Sequence, residues 1–180
     1  MSIRLHTFGA SGSGTTTLGR RLADRISGRH LDTDAYYWYA TDPPFTRKRE
    51  PAERVEMIRS DTSGVDNWVL SGSICSWGDP LLASFTLAVF VVLDPDTRMR
   101  RLALRERDRY GPRILPGGDM YAQHLEFMTW ARSYDKALPP TRSRRLHEAW
   151  LQQLSCPVVR VDAAQPIDAQ VELVLARLTN

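Results

Sequence analysis

The chain of 180 residues is poor in cysteine, in lysine and in long apolar runs. Its two cysteines, Cys75 and Cys156, are far apart and form no C-x-x-C pair, which argues against a disulfide framework and against a zinc site. The longest apolar run, Leu87 to Leu93, is too short to cross a bilayer, and no apolar leader precedes the first strand. We therefore expect two buried free thiols and a cytoplasmic protein without a membrane span.

Lysine occurs only at Lys48 and Lys136, so arginine carries almost all of the positive charge in a chain of net charge +3. Arginine binds phosphates and carboxylates through a planar pair of N–H donors. The arginines are concentrated in one segment rather than in a basic tail. This distribution favours a small anionic ligand over nucleic acid as the partner.

A glycine-rich loop stands between a predicted strand and a predicted helix near the start of the chain. Leu5 and Phe8 indicate a short buried strand, and apolar residues at helical spacing run from Leu18 to Ile26. In this context the backbone N–H groups of the loop and the helix N-terminus can hold a phosphate. The predicted phosphate-binding residues are Gly9, Ser11, Gly12, Ser13, Gly14, Thr15, Thr16 and Thr17.

Two positions decide what such a loop can do. Thr16 stands where the pattern G-x-x-x-x-G-K-[ST] places the magnesium-binding hydroxyl, whereas Thr15 stands where the pattern has lysine. That lysine normally contacts the β- and γ-phosphates and stabilises charge during transfer. Losing one such donor costs on the order of 10²–10³ in rate. Either another cation replaces the lysine, or the protein binds nucleotide and transfers phosphate poorly.

The stretch Gly9-Ala10-Ser11-Gly12-Ser13-Gly14-Thr15-Thr16 resembles the P-loop of adenylate-kinase-like phosphotransferases, a branch that includes nucleotide, shikimate and gluconate kinases. It is most similar to small bacterial adenylate-kinase-like ATPases whose loop also ends Gly-Thr-Thr-Thr. The resemblance implies ATP and Mg²⁺ as cofactors, ATP/ADP and a small-molecule acceptor as partners, and the strand order 2-3-1-4-5. It also implies that the loop Asp162–Pro166 lies along the adenine.

Two acids close the predicted second strand, which runs from His30 to Asp34. Resemblance to shikimate-kinase-like enzymes implies that Asp32 helps to position the water shell of the magnesium ion and that Asp34 accepts from the acceptor hydroxyl. Alternate residues of a strand share a face, and strand ends border the ligand crevice of α/β proteins. The alternative is a turn in which these acids cap the next segment.

The third predicted strand, Asn67 to Ser71, lacks the acid that a Walker B strand usually carries. Asp32 is therefore the preferred metal-side acid, and Asp79 is a weaker candidate.

Arginines crowd the helix predicted after Asp94 and the connection beyond it. Arg98, Arg101 and Arg105 lie three or four residues apart, so they can form one cationic stripe. The alternative is that acids such as Glu106 pair with these arginines on an exposed helix. The arginines of this helix and connection are Arg98, Arg100, Arg101, Arg105, Arg107, Arg109 and Arg113.

Related kinases carry a lid at this place. The resemblance implies a lid near residues 105–120, with Arg105, Arg109 and Arg113 as catalytic arginines that face the phosphates. Arg109 is the preferred replacement for the missing lysine. We further expect Asp119 to cap a long helix that reaches Ala137.

Five predicted strands alternate with helices over residues 1–180. This alternation is typical of one α/β domain, a three-layer α/β/α sandwich around a five-stranded parallel sheet. The predicted function is Mg-dependent phosphoryl transfer from ATP to a small metabolite or nucleotide. The alternative is a nucleotide-binding protein of the same fold with weak or no transferase activity because of Thr15. A nucleic-acid-binding module is a distant third.

Overall fold

The computed structural model describes residues 2–178, so Met1, Thr179 and Asn180 of the predicted domain lie outside the described residues. Over these described residues the chain forms five strands and seven α-helices, with two 3-10 turns at Asp79–Ser84 and Gly111–Ile114. The strands are β1 (Arg4–Gly9), β2 (Arg29–Asp32), β3 (Trp68–Ser71), β4 (Leu87–Val92) and β5 (Val158–Asp162). The helices are α1 (Thr15–Arg25), α2 (Thr33–Tyr37), α3 (Pro51–Thr62), α4 (Pro95–Tyr110), α5 (Tyr121–Ser133), α6 (Arg144–Leu151) and α7 (Ile167–Leu175).

The five strands form one parallel sheet in the order β2-β3-β1-β4-β5, which confirms the predicted topology. Leu5 pairs with Val69 on one side and with Leu87 on the other, so β1 is central. β4 is buried along almost its whole length. A strand covered by helices on both faces must be apolar on both, and this explains the unbroken run from Leu87.

Two apolar layers cover the sheet. On one face, Leu18 and Leu22 of α1 pack with Val171 and Val174 of α7. On the other face, Ile58 of α3 and Trp150 of α6 pack around Phe8 and Leu70. The chain is therefore a three-layer α/β/α sandwich, and the parallel direction places all strand carboxyl ends along one edge.

Three boundaries differ from the predictions. β2 ends at Asp32 rather than at Asp34, because the Asp32 side chain accepts the Asp34 N–H and starts α2. Asp119 does not cap α5, which begins after Met120, because its carboxylate binds Arg113 instead. α5 ends at Ser133, four residues before Ala137.

A ribbon of residues 37–49 connects α2 to α3. Trp38 forms an antiparallel bridge with Lys48, and the Tyr39 N–H donates to the Arg47 carbonyl over 2.9 Å. Arg49 donates to three carbonyls of residues 35–38 and pairs with Glu53, so it holds the ribbon together. No helix among residues 2–178 is long and apolar enough to cross a bilayer.

Candidate functional site

The glycine-rich loop connects β1 to α1 as predicted. Gly14 caps the helix in the left-handed region, at φ 98°, a conformation that favours glycine. The Leu18 N–H donates to the Gly14 carbonyl over 3.0 Å and closes the first helical turn. The N–H groups before it have no acceptor inside the helix. They lie at the positive end of the helix dipole, where an anion is stabilised.

The loop is braced from within. The N–H and Oγ of Ser13 both donate to the Ala10 carbonyl, over 3.2 and 2.8 Å. A Cβ at Gly12 would lie 2.8 Å from the Arg98 carbonyl oxygen, so α4 packs against the loop at this residue. The loop is held in place before any ligand arrives.

A cavity of about 550 Å³ opens beside the loop. Its wall contains phosphate-loop residues, two acids, four arginines and residues that follow β5. The lining residues are Gly12, Ser13, Gly14, Thr15, Thr16, Thr17, Arg20, Asp32, Asp34, Arg101, Leu102, Arg105, Arg109, Ala163, Gln165, Ile167 and Gln170. Most of the residues predicted around a bound phosphate therefore line one space, together with the loop after β5.

Two of the predicted loop residues, Gly9 and Ser11, lie outside this wall. A Cβ at Gly9 would come within 2.3 Å of the Val91 carbonyl oxygen, so glycine is required there by the approach of β4. Ser11 has another role, because its Oγ accepts a hydrogen bond from Arg142 over 2.9 Å.

The hydroxyl of Thr16 donates to the Asp32 carboxylate over 3.0 Å. A hydroxyl and a carboxylate oxygen are hard ligands of the kind that Mg²⁺ takes in phosphate sites. No group of three His, Cys, Asp or Glu side chains suited to a metal occurs in the described residues, so phosphate oxygens and water would complete such a site. Asp79 is exposed at the start of a 3-10 turn, away from the cavity wall.

Asp34 lies on the cavity wall in the first turn of α2. Although Asp34 is a solvent-exposed residue, partial desolvation on the cavity wall, followed by the nearby Asp32 carboxylate, raises the pKa of Asp34, while Arg142, Arg105 and Arg109 act in the opposite direction. A carboxylate with a raised pKa is a better proton acceptor for a hydroxyl group than an ordinary aspartate.

Hydroxyl groups support the phosphate loop from below, where a Walker B acid is missing. Thr7 and Ser71 hydrogen-bond to each other over 2.8 Å, and both reach the Thr15 carbonyl, over 3.3 and 3.4 Å. His30 Nε2 lies 3.0 Å from the Ser71 hydroxyl. Ser71 thus positions the start of α1. Because residue 71 is a serine, it provides no carboxylate that could bind a metal.

The structure separates the three arginines predicted to be catalytic into two groups. Arg105 and Arg109 line the cavity, and Arg105 also pairs with Glu106 over 3.1 Å. Arg113 lies outside the wall, where its Nη2 pairs with Asp42 and Asp119, each over 2.6 Å.

Arg98 does not belong to a cationic stripe with Arg101 and Arg105. It is 1% exposed and pairs with Asp135 over 2.6 Å. Its Nη1 donates to the Ser11 carbonyl over 3.4 Å, so it supports the loop from inside the protein.

A family model described as an AAA domain matches residues 7–124, more than half of the chain. The chain belongs to this AAA domain family. It is also 43% identical over 180 residues to "Uncharacterized protein YqaC" of Bacillus subtilis (strain 168), covering 100% of this chain and 99% of that protein.

Solved structures agree with this AAA domain fold. A sugar kinase from Janibacter sp. HTCC2649 superposes with a TM-score of 0.57 at 17% identity, covering 99% of this chain and 95% of that one. A shikimate kinase from Bacteroides thetaiotaomicron superposes with a TM-score of 0.55 at 18% identity, and the match covers 100% of both chains. A gluconokinase from Sinorhizobium meliloti 1021 superposes with a TM-score of 0.50 at 18% identity, and the match covers 99% of this chain and 91% of that one. This chain therefore shares the fold of these kinases.

Three further arginines of this AAA domain protein belong to the site without having been predicted there. Arg20 and Arg101 line the cavity. Arg142 touches the phosphate loop through Ser11. The sequence does not distinguish Arg142 from the nearby Arg144 and Arg145. Only folding brings Arg142 next to Ser11, which lies 131 residues earlier in the chain.

Proposed function

We propose that this protein binds ATP with Mg²⁺ and transfers the γ-phosphoryl group to a small metabolite or nucleotide, as an adenylate-kinase-like enzyme. The observation that carries the proposal is the Thr16–Asp32 pair at 3.0 Å, set at a helix N-terminus inside a cavity with Arg105 and Arg109. This arrangement combines backbone donors, oxygens suited to a magnesium ion and positive charge at one place.

The N–H groups at the start of α1 would hold the β- and γ-phosphates. Thr16 would bind the magnesium ion directly and Asp32 through its water shell. When bound, the ion would neutralise part of the phosphate charge. Arg105 and Arg109, in a lid near residues 105–120, would neutralise the transferred group. The base would lie against Ala163 and Gln165, after β5.

In the transfer step, a bond forms between the acceptor oxygen and Pγ, and the bond from Pγ to the bridging oxygen of ADP breaks. When the acceptor is a hydroxyl group, its proton passes to Asp34. A phosphate acceptor needs no base, and the arginines around the cavity would hold its charge instead.

The first experiment measures the melting temperature with ATP and Mg²⁺, followed by ADP release across nucleoside monophosphates, nucleosides and sugar acids. We expect millimolar ATP to raise the melting temperature. Thr16→Ala and Asp32→Asn should abolish the contribution of Mg²⁺, whereas Asp79→Asn, outside the cavity, should retain it. An unchanged melting temperature in ATP and Mg²⁺ would contradict the proposal.

A second candidate function is nucleotide binding without transfer, which Thr15 favours. In that case ATP binds but no acceptor in the screen yields ADP. Asp34→Asn separates the two acceptor classes: turnover should fall at least tenfold for a hydroxyl acceptor and change little for a phosphate acceptor.

A further inference from the structure

Neither lysine of the chain is placed to replace the lysine that the P-loop lacks. Of the two lysines, Lys48 lies 5.7 Å from the Trp38 ring on the ribbon 37–49, and Lys136 is exposed beyond α5. Neither lines the cavity. The choice therefore lies among the arginines that reach the loop or the cavity.

Most of these arginines are already committed or distant from the loop. Arg113 is held by two carboxylates outside the cavity, and Arg98 is buried against Asp135. Arg105 shares its charge with Glu106. Arg20, Arg101 and Arg109 also line the cavity, but all three are exposed residues, Arg20 on α1 and the other two on α4.

Arg142 differs from all of these. It stands just before α6, and its Nη2 donates to the Ser11 hydroxyl over 2.9 Å, which places the guanidinium directly on the phosphate loop. Its Cζ lies 5.0 Å from the centre of the Trp130 ring, so a second contact fixes its orientation.

The charge of Arg142 is poorly compensated by the protein. Among residues 2–178 it forms no ion pair within 4 Å, and its buried Nε has no hydrogen-bond partner. Burial lowers the pKa of the guanidinium, and the Asp34 carboxylate only partly offsets this effect. A guanidinium held beside a phosphate-binding loop without a carboxylate partner favours an anionic ligand.

We propose that Arg142 supplies, from a fixed position on the loop, the positive charge on the γ-phosphate that Thr15 no longer supplies. This inference rests on the proposed function, since it requires ATP at the loop. Under this proposal, Arg105 and Arg109 of the lid act later, on the phosphoryl group that is being transferred. The preference for ATP over ADP then requires neither an acceptor nor closure of the lid.

The test is the ratio of ATP to ADP affinity, measured by calorimetry with Mg²⁺ and no acceptor. Arg142→Gln should reduce this ratio about tenfold or more, the usual effect of losing a charged hydrogen bond. Arg145→Gln, an exposed arginine three residues away, should leave the ratio unchanged. Arg142→Met, which keeps the stem over Trp130, replaces Arg142→Gln should that variant fold poorly.

The decisive variant is Thr15→Lys combined with Arg142→Gln. A lysine restored at residue 15 should recover the ratio lost with Arg142, which a purely structural or acceptor-binding role of Arg142 would not allow. An unchanged ratio in Arg142→Gln, absence of recovery in the double variant, or a loss confined to Arg109→Gln would each overturn the inference. Wild-type protein that binds neither nucleotide would instead refute the proposed function itself.

Discussion

The environment of Arg98 in the fold differs from the one that its sequence spacing predicts. Its spacing from Arg101 and Arg105 is that of a surface stripe, yet it is among the largest fully buried side chains. A buried guanidinium requires a partner, and Asp135 and the Ser11 carbonyl provide it. Arg98 therefore links the phosphate loop to the end of α5.

We predict that Arg98→Met lowers the free energy of unfolding by about 2–3 kcal/mol, because the substitution leaves the Asp135 carboxylate without its main partner. The value is below that for a fully buried pair, since Asp135 is partly exposed and Arg144 lies 3.9 Å away. Urea unfolding measures it. Arg100→Met, on the exposed side of the same helix, is the control, and equal losses in the two variants would contradict the assignment.

At the scale of elements, the segment that follows α4 and the ribbon 37–49 are connected by side-chain contacts. Arg113, after α4, pairs with Asp42 of the ribbon 37–49, and the Gln123 side chain of α5 donates to the Pro44 carbonyl over 2.8 Å. The proposed lid and this ribbon are therefore coupled by polar contacts at the surface. In the structure Arg113 forms this connection and does not line the cavity.

We predict that Arg113→Gln accelerates amide hydrogen exchange in residues 111–119 and 41–46 together, because one side chain holds both segments. The affinity for ATP should change less than threefold, since Arg113 does not line the cavity. Exchange mass spectrometry and calorimetry measure the two effects. Arg107→Gln, exposed on α4, should change neither. A large loss of ATP affinity in Arg113→Gln would restore the phosphate-binding role expected from the resemblance.

At the scale of the whole molecule, two histidines are buried in the apolar layer on the α3 and α6 side of the sheet. His6 stacks between Phe8 and Phe85, with ring centres 5.0 and 4.8 Å away. His147 lies between the Tyr134 hydroxyl, at 2.8 Å, and the Ser73 hydroxyl, at 3.0 Å. Burial lowers the pKa of each imidazole to about 3.

We predict that the protein loses stability in mild acid. The folded pKa values lie below the ordinary value of 6.5, so stability is complete above pH 6.5 and falls as the pH decreases toward 3, where the unfolded chain binds protons that the folded chain excludes. Two such groups give a loss of roughly 2–3 kcal/mol between pH 7.5 and 5.5.

Urea unfolding at the two pH values measures the loss. His6→Phe keeps the aromatic stacking and removes one titrating group, so the pH-dependent part should decrease by about half. An unchanged pH dependence in this variant would show that His6 is not responsible.

The amino-acid sequence alone determined the elements that depend on local order. The spacing of Leu18 and Leu22, the unbroken apolar run from Leu87, and glycines at fixed positions before a helix predict the strand–loop–helix unit and the parallel sheet. The structure confirms both. Thr16 and Asp32, which the sequence assigned to the metal on separate grounds, lie 3.0 Å apart in the structure, and their role as metal ligands stays a prediction.

Only the tertiary structure decided which charges serve the site. Arg98, Arg113 and Arg142 are chemically identical in the sequence, yet one is buried, one links two surface segments and one lies on the phosphate loop. Burial and ion pairing depend on residues far apart in the chain, such as Ser11 and Arg142. Periodicity reports only which face of an element a residue occupies, and it carries no information about the partner that this face meets.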